Sequence, residues 1–270
     1  MGFNLSMVSK GKQVKAPRMI VLGVEKIGKT NFACGTTFEG GKPKEYGTNH
    51  PIGIPMKGET GMDDLDIDKF PACQTLDQVL QSIGALATEE HQYKTVVLDS
   101  ASALGPIIYD AVCTEFDVKN IRKISGFRVG EASVQNKWRS VLESLDVLRD
   151  EKNMATVLIG HTKVRKQKNP EGDDYDCWDF DLDSEVAELL KRWADVILFC
   201  NTKVQVKKEG EDKDFSKAKR RGFDNTQGAR FLYTQKRPAH PGGGRGIFGS
   251  LPYELPLEWS AFEAAVAELM

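Results

Sequence analysis

Continuous apolar runs alternate with amphipathic stretches along most of the chain. Residues 19–22 (Met-Ile-Val-Leu), 95–98 (Thr-Val-Val-Leu), 155–160 (Ala-Thr-Val-Leu-Ile-Gly) and 195–200 (Asp-Val-Ile-Leu-Phe-Cys) are short and aliphatic. They lack the period-two alternation of a strand with one wet face, so they predict strands buried on both sides. Between them apolar residues recur at helical spacing: Leu76, Val79, Leu80, Ile83 and Leu86, then Ile107, Ile108, Ala111 and Val112, then Val134, Trp138, Val141, Leu142, Leu145 and Leu148. This order predicts an α/β fold with a mainly parallel central sheet flanked by helices.

Boundary signals refine the pattern. Thr75 and Gln78 have capping-box spacing at the start of one helix, and Pro106 suits the first turn of another that runs to Phe116. Further helices are expected at 31–38 and 185–193, and a strand at 52–56. The C-terminal part changes character: 204–206, 231–234 and 246–248 predict short, antiparallel strands on charged or glycine-rich links, and Ser260 with Glu263 predicts a capped final helix. Residues 1–17, with Lys10, Lys12 and Lys15 among small polar residues, read as a flexible arm, and 18–270 as one domain.

Composition narrows the setting. With 37 basic and 39 acidic residues the formal net charge is -2, so any binding of nucleic acid must come from local patches. Five cysteines without C-x-x-C spacing point to reduced thiols, and four dispersed histidines argue against structural zinc. No run is long enough for a signal-peptide core or a membrane span, so a soluble, cytoplasmic protein is expected.

The chemistry begins directly after the first strand. Gly23-Val24-Glu25-Lys26-Ile27-Gly28-Lys29-Thr30 has the form G-x-x-x-x-G-K-T. Its glycines let backbone N–H groups converge on a phosphate, Lys29 reaches the outer phosphate oxygens, and the Thr30 hydroxyl is placed to ligate Mg²⁺. Asn31 completes the candidate ATP-binding set. In open α/β sheets ligands sit at the carboxyl ends of the strands, where Gly23, Glu59, Asp99 and His161 all fall. Asp99 would hold Mg²⁺ through its water shell, or else cap a helix. Glu59 would orient and deprotonate a water, or else be a solvated loop residue. His161 would sense a γ-phosphate, or else be a satisfied structural histidine.

These residues carry a resemblance. Lys94-Thr-Val-Val-Leu-Asp-Ser-Ala-Ser-Ala-Leu-Gly-Pro106 is similar to the Walker B segment of RecA-type recombinases. The order of phosphate loop, Glu59-Thr-Gly-Met-Asp63, Walker B and a strand ending in a polar sensor also resembles that family, with His161 where the family has Gln. The short core and the stretch Arg230-Phe-Leu-Tyr-Thr234 look more like the compact RecA-like ATPases encoded by phages, which assist single-strand annealing. The resemblance spans about residues 18–260 and implies a RecA-like P-loop core and an ATPase site completed between subunits of a ring or filament. It further implies single-stranded DNA held by loops after the Walker B and sensor strands, with a single-strand-binding protein as a further partner. Lys236, Arg237 and Arg245 lie where such ATPases place cations that act in trans.

The basic residues fit that picture. Lys163, Arg165, Lys166 and Lys168 follow the sensor strand, where a DNA-gripping loop would project. Gly126-Phe127-Arg128 offers a second loop, with Phe127 as a base-stacking ring or a core residue. Eight bases and four acids between 203 and 221 read as a surface hairpin. Nine acids between 171 and 188, with no base, suggest an acidic patch facing a neighbouring basic surface. Two other classes stay open: a P-loop phosphotransferase, and a nucleotide-dependent scaffold or loader of a replication protein.

Overall fold

The computed structural model describes residues 4–8, 10–11, 15–35, 37–39, 42–44, 49–209, 219–224 and 228–270. In chain order the elements are β1 (Arg18–Gly23), α1 (Lys29–Ala33), β2 (Thr37–Glu39), β3 (Lys42–Lys44), β4 (Pro51–Pro55), β5 (Asp68–Lys69), α2 (Leu76–Thr88), β6 (Thr95–Asp99), α3 (Ala101–Glu115), α4 (Val129–Glu151), β7 (Ala155–Gln167), β8 (Tyr175–Phe180), α5 (Ser184–Trp193) and β9 (Val196–Thr202). β10 (Val204–Glu209), β11 (Lys219–Asp224), β12 (Arg230–Tyr233), β13 (Gly243–Gly244), β14 (Glu254–Pro256) and α6 (Trp259–Ala267) complete the chain.

The main sheet runs β14-β12-β9-β1-β7-β6-β4-β5. From β9 to β5 every pairing is parallel, and β12, β13 and β14 join antiparallel at the β9 side. Each central strand is apolar on both faces because each face is covered. Ile20, Leu22, Ile54, Val96, Leu98 and Leu158 pack in one cluster with residues of α2, α3, α4 and α5, while Met19, Val21, Val97, Val157 and Ile159 pack in the other with Phe32 of α1 and Phe262 of α6. Removing these strands from water on both sides is the main driving force for the architecture.

The sheet order places β7 between β1 and β6. Gly23 therefore pairs in register with His161 on one side and Cys200 on the other, and Asp99 pairs with Pro55. All the candidate strand ends lie along one edge.

Several expected boundaries move. The helix expected at 31–38 is α1, which ends at Ala33, because Gly35 at φ 67 turns the chain against Asn49. α3 begins at Ala101 rather than Pro106, since the Ser100 hydroxyl caps it by accepting from the Ala103 N–H. Residues 246–248 form a 3-10 turn, not a strand, where Gly246 takes φ 57. Ser260 does not cap α6, which starts at Trp259 with Glu258 in the cap position and no side-chain cap bond. Thr75 and Gln78 do form the capping box. The ordered contacts begin before residue 18: the Thr156 N–H donates to the Pro17 carbonyl, Arg149 Nε to that of Ala16, and Lys15 pairs with Asp150.

The region after the sensor strand is a strand, not a loop. β7 runs on to Gln167 and pairs antiparallel with β8, setting Lys163 against Asp179 and Lys166 against Asp176. Among the described residues β10 and β11 form a separate two-stranded sheet.

Candidate functional site

The phosphate loop leaves β1 at Gly23 and enters α1 at Lys29, with Gly28 at φ 107, a conformation a Cβ would strain. The Ile27 side chain is buried in the core beside Leu257, so it anchors the loop, while Glu25 and Lys26 are exposed. Lys29 is only 6% exposed, and its ammonium donates to the Gly23 carbonyl at 3.0 Å and the Val24 carbonyl at 2.8 Å. Burial lowers its pKa, against the pull of the acids around it.

Thr30 and Asp99 meet at the base of the loop. Thr30 Oγ1 donates to Asp99 Oδ2 at 2.9 Å. Asp99 is 3% exposed, and burial pushes its pKa up to about 6, with the Thr30 hydrogen bond opposing. A Cβ on Gly61 would stand 2.6 Å from Thr30 Oγ1 and 2.9 Å from Asp99 Oδ2, so only glycine leaves this oxygen pair its space. Among the described residues no cluster of three or more His, Cys, Asp or Glu side chains could hold a metal ion. Thr30 and Asp99 would hold Mg²⁺ here beside phosphate and water, where it would offset the charge of a triphosphate. The residues fit both the metal and a triphosphate.

Glu59 sits in the turn after β4, where its N–H donates to the Met56 carbonyl. Its Oε1 accepts from Ser100 Oγ at 2.5 Å and lies 3.1 Å from His161 Nε2. The bond to His161, above all, holds the Glu59 carboxyl below its ordinary range, and the same bond raises His161. Ser102 Oγ accepts from the His161 backbone N–H at 3.0 Å, and His161 Nδ1 is buried with no hydrogen-bond partner among the described residues. Loop, oxygen pair, carboxylate and imidazole form one contiguous set.

Three contributors do not follow from the sequence pattern. Ser100 donates to Glu59, Gly61 leaves space beside Thr30 and Asp99, and Arg230, visible in the sequence only as part of a motif, places its guanidinium on the phosphate loop, with Nη1 donating to the Ile27 carbonyl at 3.0 Å. Arg230 lies 203 positions away in sequence, and only the pairing of β12 with β9 brings it there. Gly61 was legible as a small residue near Glu59, but not its reason.

The other candidates lie apart from this set. Phe127 is 95% exposed, which excludes a core role, and Arg128 pairs with Glu185 at the start of α5. Lys163 pairs with Asp181 and Lys166 with Asp174, so part of the acidic segment pairs with the basic strand of its own hairpin. Arg165 donates to the carbonyls of Phe180 and Leu182, a structural role, and Lys168 is exposed. Of the cations expected to act in trans, Arg237 stacks on Tyr253 at 4.1 Å, Arg245 bonds the Arg192 carbonyl and lies 3.8 Å from Asp195, and Lys236 is exposed.

A mainly parallel sheet with a phosphate loop after its β1 strand, and a hydroxyl and carboxylate paired beneath that loop, defines a P-loop nucleotide-binding protein. A family model described as an AAA domain matches residues 15–246, and the chain belongs to that P-loop ATPase family. No curated protein matches the chain.

Proposed function

We propose that the protein hydrolyses ATP as a RecA-like motor or switch acting on single-stranded DNA, in phage-type recombination or strand annealing, and that it works as a ring or filament. The observation that carries the hydrolytic part is the Glu59 carboxylate, ionised and oriented by Ser100 and His161 beside Lys29, Thr30 and Asp99. A carboxylate held in this way can take a proton from water, a contribution worth about a hundredfold or more in rate. Lys29 would move from the loop carbonyls to phosphate oxygens, and Thr30 and Asp99 would hold Mg²⁺. Bound Mg²⁺ would neutralise charge on the triphosphate.

The DNA part draws on the surface. Exposed Phe127 is a ring on which a base can stack, and Lys163, Lys166 and Lys168 line the β7–β8 hairpin. β7 also carries His161, so a strand gripped by the hairpin has a short path to Glu59. This supports coupling of DNA binding to turnover.

ATP turnover measured with and without single-stranded DNA tests both parts. The expected result is stimulation by DNA in wild type and a loss on the order of a hundredfold in Glu59→Gln with ATP binding retained. Turnover indifferent to DNA would favour a nucleotide-dependent loader, and phosphate transfer to an acceptor other than water would favour a phosphotransferase.

A further inference from the structure

The loop itself carries two cations, buried Lys29 and exposed Lys26. The fold supplies a third. Arg230 opens β12, and its main chain is held on both sides: it pairs in register with Thr202 of β9, and its carbonyl accepts from the Leu257 N–H at 3.1 Å. From this anchored position its Nη1 donates to the Ile27 carbonyl at 3.0 Å. The guanidinium also covers Gly28, since a Cβ there would lie 2.6 Å from Arg230 Nη1. Glycine at position 28 therefore meets two demands, a positive φ and the close approach of an arginine.

The planar trans peptide turns this contact into an effect on the ligand side. In such a peptide the carbonyl and the following N–H point in opposite directions. Fixing the Ile27 carbonyl on Arg230 therefore fixes the Gly28 N–H in the opposite sense, and the N–H groups of this loop are the donors that receive phosphate. A carbonyl turned inward at this place would face phosphate oxygens and repel them. We propose that Arg230, acting within its own subunit, is a positioning residue of the phosphate loop that orients the Gly28 N–H through the Ile27 carbonyl. This rests on the nucleotide reading of the loop. It makes β12 mechanically continuous with the nucleotide site.

The consequence is a particular pattern of loss. An N–H oriented toward an inner phosphate serves ADP and ATP alike, so its misdirection weakens both equally. Arg230→Gln should bind ATP and ADP about tenfold more weakly, as expected for losing one charge-assisted hydrogen bond. Arg230→Lys, which keeps a cationic donor, should recover part of the loss. Arg230 is an exposed residue, so the melting temperature should change little.

Calorimetric titration of wild type, Arg230→Gln and Arg230→Lys with Mg-ATP and Mg-ADP tests this, together with the amide resonance of Gly28 in the nucleotide-free proteins. Equal weakening for both nucleotides, partial rescue by lysine and a shifted Gly28 resonance are the expected results. Weakening confined to ATP would mean that Arg230 touches the γ-phosphate, and would overturn the positioning role. Unchanged affinities in Arg230→Gln, with wild type binding both nucleotides, would also overturn it. A wild type that binds neither would remove the nucleotide reading itself.

Discussion

Glu59 and His161 share a hydrogen bond of 3.1 Å that joins the turn after β4 to the middle of β7, where that strand leaves the sheet core. Its strength depends on protonation. Glu59 is lowered from 4.5 by His161 first, and His161 is raised from 6.5 by Glu59 first. The stabilisation from Glu59 is present above pH 4.5 and lost as pH falls through its lowered value. That from His161 is complete below pH 6.5 and lost as pH rises through its raised value. The pair is thus strongest between those limits, where Glu59 is also the poorest base because an imidazolium neutralises it. Turnover should climb as pH rises above 6.5, while thermal stability declines relative to His161→Gln over the same range. In His161→Gln, which can donate but not titrate, the climb should vanish. An alkaline limb that persists in that variant would show that His161 does not govern the base. Lys29 and Asp99 also face the pair electrostatically, so each profile should be taken in a background that keeps both.

The parts of the fold that were legible in the sequence are those governed by local chemistry. The four buried strands announce themselves because burial on both faces demands unbroken apolar runs, and the loop because its glycines and Lys29 serve one geometry. Gly23, Glu59, Asp99 and His161 could be placed at one edge from strand polarity alone. What stayed hidden depended on contacts between distant segments. Arg230 reaches Ile27 only through β12, and the pairing of Lys163 and Lys166 with Asp181 and Asp174 needs the hairpin register. The helix expected at 31–38 failed at Gly35, whose position against Asn49 is likewise a tertiary fact.

Gly61→Ala tests the oxygen pair. The added methyl would meet Thr30 Oγ1 at 2.6 Å and Asp99 Oδ2 at 2.9 Å, closer than such contacts allow, so the two oxygens must part. Mg²⁺-dependent ATP affinity should fall about tenfold or more, while affinity measured in EDTA changes little. Equal losses in both conditions would mean that the substitution disturbs the loop rather than the metal pair.

The basic residues of β7 should separate by role. Arg165 serves two carbonyls from a largely buried position, so Arg165→Gln should cost about 1–3 kcal/mol of stability. Lys163 and Lys166 make exposed ion pairs that contribute little to folding. Neutralising Lys163, Lys166 and Lys168 together should leave the melting temperature nearly unchanged. Affinity for single-stranded DNA should fall, and the slope of log affinity against log salt should shrink by roughly 0.7 for each phosphate that is no longer neutralised. An unchanged slope would move the DNA path to another surface.

The three cations expected to act across a subunit boundary differ in how free they are to do so. Arg237 is committed to the Tyr253 ring and Arg245 to Asp195, an acid that also binds Arg18 and Arg149. The Lys236 side chain makes no hydrogen bond or ion pair among the described residues and is exposed. A cation that stabilises a neighbour's phosphoryl charge must be able to leave its own subunit, which favours Lys236. Lys236→Ala should therefore bind ATP normally and hydrolyse it poorly, and Arg237→Ala and Arg245→Ala should be milder. Lys29→Ala should bind ATP weakly, because the buried loop cation is gone. Mixing it with Lys236→Ala creates interfaces in which one subunit supplies an intact loop and its neighbour an intact Lys236. Activity of the mixture should exceed that of either variant alone. If mixed oligomers form and no activity returns, Lys236 acts within its own subunit or outside catalysis, and the trans role passes to one of the two tethered arginines or to none.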